Sequence, residues 1–299
     1  MTVKEIGNNI KQNKICYICI APFFLLFFIF TVLPVASSIV LGFTYYNILE
    51  SPVFTGLSNY AKLFFSDEIF MKSVMNTMVM ALVIGPGGYL MALLLAWMVN
   101  ELSPRMRTLM VLLIYAPSIS GNMFVIWGLI FSGDAYGYIN GFLINTGFIK
   151  EPVLWFHDVR YMMTLVIVIS LWMGMGSGFL SFIAGFSGLD RSLFEAATMD
   201  GVQNRWQELW YITLPQMRPQ MLFGAVMSIT AAFGVGSVGA ALCGMPSTDY
   251  AVHTVLNHIT DYGTTRFDMG YSAAMSTVLF LAMIVCNAFI RKLLASVGK

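Results

Sequence analysis

The run Tyr17-Ile-Cys-Ile-Ala-Pro-Phe-Phe-Leu-Leu-Phe-Phe-Ile-Phe-Thr-Val-Leu-Pro-Val-Ala-Ser-Ser-Ile-Val-Leu-Gly-Phe43 decides the class of this protein. It contains no Asp, Glu, Lys, Arg or His. A helix of about 20 apolar residues crosses the hydrocarbon of a bilayer. Lipid offers no partner to a backbone N–H or C=O, so such a run must be a helix or part of a closed barrel. Its length and its lack of two-residue alternation select the helix. It follows a basic tail of Lys4, Lys11 and Lys14. It is nonetheless too long for the apolar core of a signal peptide, and no small-x-small site follows it, so it reads as a retained span.

Five further runs have the same character: 73–98, 108–131, 161–186, 220–244 and 271–290. No Asp, Glu, Lys or Arg lies inside any of the six, and His157, His253 and His258 also fall outside them. The whole chain of 299 residues is 58% hydrophobic and 10% charged, with a mean hydropathy of +0.76. Soluble domains carry roughly 25% charged residues. A soluble enzyme, a disordered chain and a basic nucleic-acid binder are therefore excluded. The expected fold is an all-α integral membrane protein with six transmembrane helices, one domain over 1–299.

Lys and Arg counts set the orientation. The segments 1–16, 99–107, 187–219 and 291–299 carry 11 of the 16 Lys and Arg, and 44–72, 132–160 and 245–270 carry five. Both termini and the 187–219 loop are expected in the cytoplasm.

The spans hold no ionisable group for a proton relay and no His or carboxylate to ligate a metal. A sodium site built from backbone carbonyls needs no charge and stays open. Cys16-Tyr-Ile-Cys19 has dithiol spacing but no strand-turn-helix around it, and Cys243 and Cys286 also read as apolar filler. Helix-disturbing residues cluster at Gly85-Pro86-Gly87-Gly88, at Pro117 and Gly121, at Gly174, Gly176, Ser177 and Gly178, and at Gly234, Gly236 and Gly239. They read either as a kinked wall beside a translocation path, with Gly176 and Gly236 as candidates, or as points of close helix packing. The loop aromatics Tyr60, Tyr136, Tyr138, Trp155 and Phe156 suit an external partner or an interfacial belt.

The 187–219 loop is the most informative segment. Residues 190–200 are good helix formers without Gly or Pro, and Gly201 can supply a left-handed C-terminal cap. A second helix is expected over about 203–213, ended by Pro215. Leu189, Leu193 and Ala196 share one face, as do Trp206, Leu209 and Trp210. Ser192-Leu-Phe-Glu195 also reads as a capping box, with Glu195 bonding back to the helix start.

Within this loop, Glu195-Ala196-Ala197-x-x-Asp200-Gly201 and the later Ile212-x-Leu214-Pro215 resemble the EAA signature of ABC importer permeases. The wider pattern is similar to the permeases for oligosaccharides, maltose and glycerol 3-phosphate. Four further segments carry the resemblance: Phe54-Thr-Gly-Leu-Ser-Asn-Tyr60, Asn76-Thr77, Tyr138-Ile-Asn-Gly-Phe-Leu143 and Asp268-Met-Gly-Tyr-Ser-Ala-Ala274. One departure stands out. Ten residues separate Gly201 from Ile212, one more than the family pattern, which implies a bulge or a shift of the second helix by about a third of a turn.

The resemblance implies a type I ABC importer permease fold in a bacterial or archaeal inner membrane. It implies half of a pathway for a sugar or oligosaccharide, completed by a second, similar permease. Two separate ATPase subunits would bind ATP and Mg, and an extracytoplasmic solute-binding protein would deliver the substrate. This chain itself would be non-catalytic and bind no cofactor. Glu195, Ala196, Ala197, Asp200, Gly201, Ile212, Leu214 and Pro215 would form the coupling segment seated on the ATPase. An ion-driven secondary transporter is the alternative.

Overall fold

The computed structural model describes residues 13–121 and 123–296. Lys4, Lys11 and Lys299, which entered the orientation argument, lie outside them. Four helices are long and apolar enough to cross a membrane, and six spans result if two sharply bent helix pairs each count as one. The described residues divide into two compact units, 1–63 with 261–278 and 64–260 with 279–299.

The first unit contains α1 (Lys14–Leu41), with a wide π-turn at Phe28–Val32. The apolar stretch of α1 buries nothing within the chain. After it comes a two-residue antiparallel ladder, β1 (Thr44–Tyr45) with β2 (Val53–Phe54), in the register Thr44↔Phe54 and Tyr45↔Val53. This ladder is the one departure from the all-helical expectation among the described residues. The segment 54–60 acts as a structural clip. Gly56 turns the chain at φ +63°, and Asn59 Nδ2 donates to Gly42 O (3.0 Å) and Thr44 O (2.9 Å). Across the same unit Asp268 accepts from Tyr271 N and approaches Lys62 Nζ at 3.9 Å. Gly270 sits so close to Thr44 O that a Cβ would collide with it.

Next come α2 (Ser58–Phe65) and α3 (Glu68–Asn100). α3 starts five residues before the expected 73, because Asp67 caps it by accepting from Phe70 N at 2.8 Å. Its other carboxylate oxygen pairs with His258 Nε2 at 3.0 Å, and His258 Nδ1 lies 3.3 Å from His253 Nε2. Asn76 donates to the carbonyls of Tyr250 and His253, and Thr77 Oγ1 accepts from Val255 N. These bonds tie the 247–260 segment to the start of α3. The Gly85–Gly88 cluster, expected to disturb this span, lies inside an unbroken helix. Only the donor that Pro86 lacks is missing, so the carbonyl of Leu82 loses its partner.

The third span is broken into α4 (Pro104–Ile119) and α5 (Phe124–Ile130), bent by 92°. The break falls where Pro117 and Gly121 placed it. In the loop that follows, α6 (Tyr138–Asn145) carries the fully buried Asn140. Its amide donates to the carbonyls of Ser132, Asp134 and Val153, and accepts from Val153 N and Trp155 Nε1. Of the loop aromatics in this unit, Tyr136 and Tyr138 are exposed and Phe156 is in the core.

The fourth span is α7 (Val159–Met173) and α8 (Ser177–Ser187), bent by 42° at the glycines 174 and 176. Ser118 Oγ donates to Met175 O at 3.1 Å and so covers one of the carbonyls freed there. The loop that follows holds α9 (Arg191–Met199) and α10 (Arg205–Glu208), and leads to α11 (Arg218–Phe233) and α12 (Gly236–Cys243). The helices α13 (Val255–Thr260) and α14 (Met269–Ser296) follow.

Two apolar clusters hold this unit. One joins Met80 and Ile84 of α3 to Met162, Val166 and Ile169 of α7 and to Ala232. The other joins Ala92, Leu93 and Ala96 to Phe179, Phe182 and Phe186 of α8 and to Leu209, Met217 and Met221. Gly178 faces Gly224 at 3.6 Å from an added Cβ to the Gly224 backbone. Small residues here let α8 and α11 approach, the packing role weighed above.

Candidate functional site

The loop opens with Asp190, whose carboxylate accepts from Ser192 N at 3.0 Å and caps α9. The Ser192 backbone N–H holds Asp190 below the usual carboxylate range. The capped form is thus present at neutral pH and is lost only as pH falls below that range. Ser192 is inside the helix, so the Ser192–Glu195 capping box is not formed. Asp190 wins because the cap needs a non-helical residue with a short acceptor side chain.

α9 ends in a Schellman motif. Val202 N donates to Ala197 O at 3.0 Å, Gly201 N to Thr198 O at 3.3 Å, and Gly201 stands at φ +92°. That is the left-handed cap expected of Gly201. Among the described residues, nothing beyond its chain neighbours lies within 4 Å of where its Cβ would be. Glu195, Ala196 and Asp200 are exposed and Ala197 is half-buried. Leu193 and Met199 are also exposed, Met199 at 88%. Leu193, Ala196 and Met199 are thus left open by the described residues, while Leu189 packs beside the second apolar cluster.

The second helix starts at Arg205, two residues after the expected 203. Asn204 accepts from Gln207 N (2.9 Å) while Gln207 Oε1 accepts from Gln203 N (2.9 Å). This reciprocal cap, Asn204-x-x-Gln207, was readable in the sequence as a helix-start signature. α10 does not end before Pro215. It runs on as a π-turn over Leu209–Thr213 and a last turn Leu214–Gln216 that contains Pro215. A π-turn holds one more residue than an α-turn. The surplus residue between Gly201 and Ile212 is therefore absorbed where the signature resumes. Pro215 lies in the turn directly after the π-turn and can donate no backbone hydrogen bond there. Ile212 and Leu214 are half-buried and Pro215 is exposed.

Of the expected apolar face, Leu209 is buried, but Trp206 and Trp210 are 64% and 67% exposed. Trp206 lies against Trp97 of α3, with ring centroids 4.9 Å apart. Arg205 bridges Glu101 (3.1 Å) and Glu208 (3.2 Å). A cavity of about 620 Å³ opens between the loop and the α3–α4 turn, with Glu195, Phe194, Arg205, Glu101 and Arg107 among its walls. Trp97, Glu101 and Arg205 were not picked out from sequence. The i,i+3 pair Arg205–Glu208 was visible there, but no local pattern links position 101 to 205.

The two pathway candidates part company. Gly176 borders a cavity of about 310 Å³ with Gly88, Ala92, Gly174, Ser228 and Thr230. Gly236 is buried, and a Cβ there would collide with Asn257 Oδ1 and Thr254 Oγ1. The eight signature residues share one loop, whereas Gly176 lies at the break in the fourth span.

The sequence profile of the family described as "binding-protein-dependent transport system inner membrane component" matches residues 84–298. The probable ABC transporter permease protein YesP of Bacillus subtilis (strain 168) is 31% identical over 277 residues, 91% of this chain and 87% of the relative. The arabinooligosaccharides transport system permease protein AraP of the same organism is 28% identical over 287 residues, 94% of this chain and 88% of the relative. In the crystal structure of a bacterial alginate ABC transporter in complex with alginate pentasaccharide-bound periplasmic protein, one chain superposes with a TM-score of 0.77. It is 22% identical over 94% of both chains. That likeness gives the fold. The chain belongs to the family of inner membrane components of binding-protein-dependent transport systems.

Proposed function

We propose that this chain is the permease subunit of an ATP-driven importer and forms half of a pathway for a sugar or oligosaccharide. The observation that carries the reading is the short helix α9. It presents Glu195 and Ala196 to solvent with Ala197 half-buried beside them, and is closed by the positive-φ Gly201, in a loop that packs on the core through Leu209. An ATPase subunit is the occupant the signature implies. Ala196 and Ala197 permit close approach, and Glu195 offers a charge-assisted hydrogen bond to a basic group. Two ATPase subunits would hold ATP and Mg, a second permease would complete the pathway, and an extracytoplasmic binding protein would deliver the sugar. Relatives named for arabinooligosaccharide and glycerol 3-phosphate transport support a sugar-type substrate. Closure of the ATPase pair would move α9, and the spans would switch access.

The test is purification from the native membrane followed by reconstitution. Stoichiometric ATPase co-purification and ATP-dependent uptake driven by a sugar-loaded binding protein are expected. Uptake by this chain alone on an ion gradient would replace the reading with the secondary transporter.

A further inference from the structure

The loop does not meet the rest of its unit only through the chain that continues into α11. It is also strapped sideways to the end of α3. Leu93, Trp97 and Glu101 are spaced four residues apart, which places them on one face of the last turns of that helix. Opposite them, one turn of the loop supplies Arg205, Trp206 and Leu209. Leu209 is buried with Ala92, Leu93 and Ala96. Trp206 packs on Trp97 at 4.9 Å. Arg205 reaches Glu101 at 3.1 Å and is itself steadied by Glu208 at 3.2 Å. In the same turn Arg107 Nη2 donates to Asn100 O at 2.5 Å.

The far side of the strap leads to a cavity. Gly88 and Ala92 of α3 border the space of about 310 Å³ that Gly176 also borders. Just before them, Pro86 removes one hydrogen bond from α3, and glycines flank it. Bending is thus easiest between the cavity-lining part of α3 and its start.

We infer that Trp97, Glu101, Arg205 and Trp206 are positioning residues that carry loop movement into α3, and so into the wall beside Gly176. The inference rests on the permease reading. The ion pair is exposed at 65% and 44%, so alone it holds little free energy. Its value is directional: with the indole contact and the Leu209 anchor it makes loop and α3 end move as one body.

The experiment uses the full transporter, with both permeases, the ATPase subunits and the binding protein in proteoliposomes. The variants are Arg205→Gln with Trp206→Ala, and separately Glu101→Gln, which leaves the loop untouched. Expected is normal ATPase co-purification in both, with uptake and substrate-stimulated hydrolysis down about fivefold or more in the double variant, the low end of ordinary site-to-site coupling, and down by a smaller factor, above about twofold, in Glu101→Gln. Arg205→Lys with Trp206→Phe should recover most of both. Uptake and stimulation within about twofold of wild type in the double variant and in Glu101→Gln, well under that range, would overturn the inference. Loss of ATPase attachment would also overturn it, by assigning these residues to the docking surface. Wild-type uptake without any ATPase subunit would remove the permease reading and the strap together.

Discussion

At the scale of single residues, the structure separates glycines that look alike in sequence. Gly201 has open space around its missing Cβ, so a side chain there meets only backbone strain. A β-branched residue at φ +92° costs about 1–2 kcal/mol. Gly201→Val should weaken ATPase attachment or uncouple hydrolysis from uptake, while Gly201→Asn, tolerated at such caps, should retain more activity. Comparing co-purification and uptake in the two variants checks this; equal, unimpaired transport in both would remove Gly201 from the coupling argument. Gly236 is the reverse case. Gly236→Leu should fail to accumulate as a folded chain, because it collides with Thr254 and Asn257. A Cβ at Gly176 would meet Ser118 at 3.7 Å and Gly174 O at 4.0 Å, ordinary contacts, so Gly176→Leu should assemble and lose uptake by filling the small cavity. Size-exclusion profiles and uptake of the pair decide between packing and pathway. Asn140 shows what the resemblance to a family left unexplained. It is fully buried and its amide serves five backbone or side-chain partners. Asn140→Ala leaves buried groups unpaired, at about 1–3 kcal/mol each. A clear drop in thermal stability in detergent is expected, and an unchanged melting point would show that water replaces the amide.

At the scale of elements, the π-turn is the most informative feature. Leu209 at its start and Leu214 just after it both pack on the second apolar cluster. The surplus residue can therefore be removed without changing what the flanks touch. Deleting the exposed Tyr211 should close the turn into ordinary helix and keep ATPase attachment and most uptake. Inserting an alanine there instead should rotate the following helix by about 100° and abolish both. If the deletion is as damaging as the insertion, the wide turn itself is needed for coupling. The helices also show why sequence rules succeed unevenly. Glycines and prolines broke the third and fourth spans where expected. They did not break α3, where a Cβ added at Gly85 or Gly87 would stand in van der Waals contact with Ala232 or Leu171. Packing from neighbouring helices can hold a weak stretch in helical form.

At the scale of the whole molecule, the distribution of Lys and Arg predicts which loops face which side. Cysteines substituted at 134 and 261 should be labelled from outside sealed cells, and those at 200 and 299 should not. External labelling at 200 would invert the topology and place the EAA-like loop out of reach of any cytoplasmic ATPase.

The apolar runs alone determined the membrane class, set six as the upper count of spans, and located the long loop along the chain. Burying an uncharged run of more than 20 residues in lipid dominates every local preference, and helices satisfy their own backbone groups. The Schellman cap at Gly201 was legible for a similar reason: a left-handed turn is a local demand that glycine meets. The cap at Asp190 instead of a box at Ser192, the absorption of one residue into a π-turn and the split roles of Gly176 and Gly236 were decided by tertiary structure. So was the strap from Arg205 and Trp206 to Glu101 and Trp97, residues about a hundred positions apart. Each depends on which surfaces meet, and no periodicity within one segment records its neighbours in space.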